Sequence, residues 1–130
     1  MAKTPVKIEI DGYKEREVQM VTYEFDQTMS VDGQLSGIPR GGKIKIRVKA
    51  LNDGTPELLG WMVERNLPKD GTITFFETVS GKKMKEIKFT KGYCVDFQER
   101  WEDEIGHFEE IVITCKQIKF GDVEFVNEWA

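Results

Sequence analysis

The sequence is poor in the residues that most often carry chemistry: 130 residues contain one histidine, two cysteines and four prolines. His107 alone, with the thiols Cys94 and Cys115, leaves little for a metal site, and two thiols are too few for a disulfide framework. No cofactor or metal is expected. Long apolar runs are also missing; Ile111, Val112 and Ile113 form the longest purely apolar stretch, far short of a bilayer span. Met1-Ala2-Lys3-Thr4-Pro5 lacks the apolar core of a secretory signal, so synthesis in the cytoplasm without export by the general secretory route is expected. Positive charge is not in excess. Nineteen Lys and Arg face 23 Asp and Glu, a net charge of −4, which favours neither nucleic acid nor an anionic membrane as a partner.

What the sequence does have is an apolar fraction of 39% with three Trp, three Tyr and eight Phe, enough to bury a core. Its length fits one domain over residues 1–130. The dominant period is two. Val6, Ile8 and Ile10 alternate with Lys7 and Glu9, and Asp11-Gly12 reads as a two-residue hairpin turn into a strand from Tyr13 to about Asp26. Ile44, Ile46, Val48 and Ala50 alternate with Lys43, Lys45, Arg47 and Lys49, giving one apolar face and one basic face. Residues 72–79 and 83–89 flank Ser80-Gly81 as another hairpin; Met84 is out of step with Ile87 and Phe89, which calls for a bulge. Tyr93, Val95, Phe97 and Trp101 then form one face, Ile111, Ile113 and Cys115 the next, and the last strand spans residues 123–129. Matching these faces places Cys94 on the opposite side of the sheet from Cys115.

One segment has helical spacing. Thr55 suits a cap and Pro56 the first helical position, and Leu58, Leu59, Met62 and Val63 form an apolar stripe of about three turns, widened by Trp61. The pattern is mainly β: a closed β-barrel or two-sheet sandwich of about seven to eight strands with one short α-helix on its flank.

Residues 27–42 read as a long connection without secondary structure, and Met29, Val31, Leu35 and Ile38 make it too apolar for a solvated tether. It either folds back on its own barrel or docks on another chain. Its glycines precede a strand rather than a helix, so they do not make a phosphate cradle; Gly41 and Gly42 let the backbone turn into that strand. The acids around residues 97–110 invite a paired-carboxylate hydrolase, but carboxylates at a wet hairpin end are poorly placed for the required pKa separation, and no enzyme is expected. The same acids are natural partners for the Lys43, Lys45, Arg47 and Lys49 stripe. Trp61, Trp101 and Trp129 are assigned to structure first, with Trp129 the one to touch a neighbouring copy.

Tyr23-x-Phe25-x-Gln27, Asp32-Gly33, Pro39-Arg40-Gly41-Gly42, Leu58-Leu59-x-Trp61-Met62, Lys69-Asp70-Gly71-Thr72-Ile73, Lys85 with Phe89, Tyr93-Cys94-Val95 and Asn127-x-Trp129 occur in that order along nearly the whole chain. Together they resemble the Hcp/TssD tube proteins of type VI secretion systems, closest to the Bacteroidetes-type version. The resemblance implies a β-barrel with one helix, six copies in a ring, and rings stacked into a tube that is ejected with a spike from a contractile sheath and can carry effectors in its lumen. On that reading Leu35, Ile38, Pro39, Arg40 and Trp129 are ring contacts, and Lys43, Lys45, Arg47 and Lys49 face the lumen or an interface. The competing reading is a monomeric barrel that binds a small ligand inside.

Overall fold

A computed structural model describes residues 5–29, 35–51, 56–64 and 67–126, with residues 25–29 and 35–42 described as backbone only. The chain runs through β1 (Val6–Ile10), β2 (Arg16–Met29), β3 (Leu35–Lys49), α1 (Glu57–Val63), β4 (Lys69–Phe76), β5 (Lys83–Glu102), β6 (Gly106–Phe120) and β7 (Val123–Val126). All pairings are antiparallel, in the order β3-β2-β1-β4-β5-β6-β7, and a β3–β6 ladder closes the first six strands into a barrel. β7 pairs with β6 outside the closure.

The alternation dictates the inside. Ile8, Ile10, Ile44, Ile46, Val48, Ile73, Ile87, Phe89, Ile111, Ile113, Cys115 and Ile118 are buried in one cluster, while Lys43, Lys45 and Lys49 on the other face of β3 are exposed. The barrel is filled by its own β-branched side chains, as small barrels are, which leaves its interior a core rather than a ligand chamber.

Two local readings of the strands change and one holds. The Asp11-Gly12 turn forms, with Gly12 at φ +84 and a Tyr13 N–H to Ile10 carbonyl bond of 2.9 Å. β1–β2 pairing begins only at Ile8 opposite Arg16, however, so five residues rather than two join the strands. In β5 the expected bulge at Met84 is present: Phe75 faces Lys85 and Phe76 faces Lys83, leaving Met84 out of the ladder and exposed. A further bulge between Cys94 and Asp96 has no mark in the sequence; it ejects Val95 to solvent and turns Cys94 into the core opposite Ile113, on the same face as Cys115.

The helix is shorter than expected, seven residues, and Pro56 is its N-cap rather than its first turn; Thr55 lies outside the described residues. Only part of the expected apolar stripe is buried. Leu58 and Trp61 are buried and Met62 packs on the core, while Leu59 and Val63 are exposed. Trp61 selects this face, because its indole N–H donates to the Leu67 carbonyl at 2.8 Å and its ring meets Tyr13 edge-on.

Candidate functional site

Residues 27–42 are not an unstructured connection. Gln27 faces Pro39, Asp26 faces Arg40 and Met29 faces Leu35, so β2 and β3 continue as a two-stranded arm. β3 leaves β6 at Lys43 opposite Thr114, and further along β6 the pairing at Gln117 to Phe120 is with β7 instead. β1 reaches β2 only at Arg16 and Glu17. Beyond those points, among the described residues, the arm has no third strand. Gly42 is skipped between the Glu24–Lys43 and Phe25–Gly41 pairs, so the glycine pair marks a bulge where the arm leaves the barrel rather than a turn. Pro39 is compatible with the pairing because a proline fits a strand with a free edge. Leu35, Ile38, Pro39 and Arg40 therefore share one strand of the arm; Trp129 lies outside the described residues.

At the arm's root, side chains close the seam left by the short β1. The Lys85 ammonium donates to the Tyr23 hydroxyl at 2.8 Å and stands 5.4, 5.9 and 6.0 Å from the ring centres of Tyr23, Phe75 and Phe120. Tyr23 also packs on Phe120, centroids 4.9 Å apart. A cation held by ring faces and one hydroxyl ties β2, β4, β5 and β6 together at this point.

The basic stripe is divided. Arg47 is half-buried: its guanidinium donates to Glu110 at 2.6 and 2.8 Å and lies 4.6 Å from the Phe108 ring centre. Phe108 is thereby buried on the outer face beneath Arg47 and Arg100. Lys43, Lys45 and Lys49 remain exposed, with Glu24 in register beside Lys43.

The acidic hairpin splits as well. Glu99, Glu102, Asp103 and Glu104 are exposed, and Glu99 accepts or shares a 2.8 Å hydrogen bond with His107. Glu109 does not belong with them. It is buried at 6% exposure and holds Arg16, buried at 3%, at 2.7 Å. Its phase with Ile111 and Ile113 was the sequence signal for an inward carboxylate. Trp101, in step with Phe97 along the strand, is 67% exposed and lies outside the core.

Cys94 and Cys115 are free and buried, and burial pushes their thiols up to about 11 and about 12. Thiol reagents at pH 8 are expected to leave both untouched in the folded protein and to label both after denaturation. Because the folded-state values lie above the ordinary 9.0, the unfolded chain loses these protons first, and stability falls as pH rises from about 9 to about 12. Melting temperatures of Cys94→Ala and wild type across that window, with the variant's decline the shallower, check the sign.

No helix among the described residues is long and apolar enough to cross a membrane. Comparison with known proteins gives a single answer. Residues 2–130 match the family described as TssD: Hemolysin coregulated protein Hcp (TssD). A comparison with curated protein sequences gave no match. Among solved structures, Hcp1 from Flavobacterium johnsoniae superposes with a TM-score of 0.86 at 31% identity, over 95% of this chain and 99% of that one. Hcp1 from the E. coli EAEC 042 pathovar (TM-score 0.75, 13% identity, 98% of this chain and 100% of that one) shares the fold. So does the secreted protein Hcp3 from Pseudomonas aeruginosa (TM-score 0.65, 13% identity, 98% and 99%). With the family matched along the chain and the barrel, helix and arm in place, the chain belongs to the Hcp (TssD) family and is a tube subunit of type VI secretion.

Proposed function

We propose that the whole chain acts as one barrel domain, that six copies close into a ring, and that rings stack into the tube ejected by a type VI apparatus, with effectors carried in its lumen. The observation that carries this reading is the arm. A two-stranded ribbon without a third strand is marginal by itself in water, and this one contains Leu35 and Ile38 in a strand with an open edge. A second copy supplies the missing cover, and repeated heterologous contacts close into a ring when the rotation allows. Leu35, Ile38, Pro39 and Arg40 are then contacts with the next copy, and Trp129 is a further one. The exposed Lys43, Lys45 and Lys49 line the lumen or flank an interface.

The reading places the chain in the cytoplasm during assembly and outside the cell after firing, with sheath and spike proteins as partners and neither nucleic acid nor membrane as a ligand. It assigns a structural rather than a catalytic role. Supporting this, the hairpin's exposed carboxylates sit in water, and the one buried carboxylate among the described residues, Glu109, is committed to Arg16.

Ile38→Asp tests the arm. Light scattering behind size exclusion is expected to show loss of the ring and a folded monomer, because a carboxylate is driven into an apolar contact. An unchanged ring population that still stacks would contradict the assignment.

A further inference from the structure

The β5–β6 ladder carries two surfaces of opposite sign at its two ends, and each holds exposed apolar side chains. At the hairpin end, Trp101 and Ile105 are 67% and 63% exposed. They are flanked by Glu102, Asp103 and Glu104, none of which has an ion-pair partner among the described residues. At the other end a cleft of about 510 Å³ is lined by Met84 and Phe120 together with Lys85, Lys88 and Lys119. Lys88 and Lys119 stand directly opposite each other in the ladder, a like-charge cross-strand pair that costs stability unless anions neutralise it. Glu86 also lines the cleft and takes up Lys88 at 3.4 Å; Lys119 has Glu124 opposite it in the β6–β7 ladder but closes no ion pair among the described residues.

We infer that the hairpin of one copy seats in the lysine cleft of the next, Trp101 entering against Met84 and Phe120 while Glu102, Asp103 and Glu104 meet Lys88 and Lys119. This rests on the chain being a repeating subunit. The occupant is another copy because the two surfaces complement each other but cannot meet within one chain: Lys88 and Glu102 lie toward opposite ends of the β5–β6 antiparallel ladder. A contact of this kind joins unlike surfaces, so it repeats from copy to copy in one direction. An exposed tryptophan ringed by charge is the composition of a central contact inside a polar rim. Opposed charges at the rim steer the approach and reject the reversed orientation, in which like ends would meet. Lys85 belongs to the cleft wall but stays on its own aromatic rings and Tyr23, so the contact is made by its neighbours.

The test uses sedimentation velocity of the full chain over a range of concentration and salt, with two charge reversals. Glu102→Lys with Asp103→Lys reverses the hairpin; Lys88→Glu with Lys119→Glu reverses the cleft. Each reversal alone is expected to raise the midpoint concentration of association by about tenfold or more. All four changes in one chain, or a one-to-one mixture of the two reversed chains, restore it. Wild-type association weakens with added salt as exposed charges are screened. Trp101→Ala, at a position the barrel does not use, weakens association in parallel while leaving the melting temperature unchanged. Wild-type association by both reversed chains, salt-independent association, or failure of the combined chain to recover while its circular dichroism is native would each overturn the inference. In those cases rings still form and the tube reading stands; a wild type that is monomeric at every concentration overturns both.

Discussion

Replacing Glu109 by alanine is expected to cost about 3–5 kcal/mol of folding stability, because it strands a buried guanidinium. Arg16 opens β2 at the point where that strand has only two paired positions with β1. Its Nη2 donates to the Lys49 carbonyl and to Glu109 Oε1, each at 2.7 Å, tying the start of β2 to the end of β3 and to β6. Nε and Nη1 are buried without a partner, so the guanidinium is already under-satisfied and Glu109 is its counter-charge. Against a total stability of ordinarily ~5–15 kcal/mol, losing that carboxylate brings the monomer close to unfolding. Glu109→Gln keeps an acceptor and loses only the charge, so its cost should be smaller. The double replacement Arg16→Met with Glu109→Met removes both charges and should recover most of the loss, since apolar substitutes for a buried pair are often neutral or better. Urea unfolding of the four proteins, at one protein concentration because assembly adds to apparent stability, gives the cycle. A Glu109→Ala protein as stable as wild type would show that the pair contributes nothing.

The second large effect centres on Phe89, whose ring lies between two glycines. A Cβ at Gly71 would come within 2.3 and 2.7 Å of the ring and 3.0 Å of the Glu9 carbonyl; one at Gly92 would come within 2.8 and 2.9 Å of the ring and 3.0 Å of Ile113. The ring is 1% exposed, so it cannot swing away into solvent. Phe89→Ala should cost about 3–5 kcal/mol by leaving a cavity over both backbones. Gly71→Ala and Gly92→Ala should each cost about 1–3 kcal/mol by overpacking. Because both added methyls press on one ring, the costs should not add, and Phe89→Leu should relieve part of the Gly71→Ala penalty. Thermal unfolding of the single and double variants reads this. Strict additivity would mean that the ring does not couple the two sites.

Where a strand alternates without interruption, its buried face could be read from the residues alone. Ile44, Ile46 and Val48 face inward and Lys43, Lys45 and Lys49 outward, as their phase demands. Phe97 lies opposite Ile111 as its phase demands, but the phase at Tyr93 to Val95 could not be read, because a bulge moves the pairing by one residue without a compositional mark; Val95 and Cys94 therefore exchanged sides. The helix's apolar stripe of Leu58, Leu59, Met62 and Val63, widened by Trp61, covers too wide an arc to be buried whole: Leu58, Trp61 and Met62 go inward and Leu59 and Val63 stay out. The choice was made by what the indole reaches, the Leu67 carbonyl. In the arm, Gly37, Pro39, Gly41 and Gly42 carry the composition of a loop, yet pairing with β2 draws them into a strand where a free edge tolerates proline. Arg16 and Glu109 are 93 positions apart, and only the inward phase of Glu109 hinted at the pair. Of the assembly residues, the arm's apolar content was visible as a feature needing cover. Trp101 was not, since an aromatic in step with a strand looks the same whether its face meets the core or a second copy.

The central claim is that this barrel is a repeating unit. Negative-stain microscopy of the purified wild-type chain, with its mass measured in the same buffer, tests that most directly. The account predicts annular particles of six 15.0 kDa subunits, about 90 kDa, some of them stacked end to end. A uniform 15 kDa monomer whose melting temperature rises with a small ligand would contradict it.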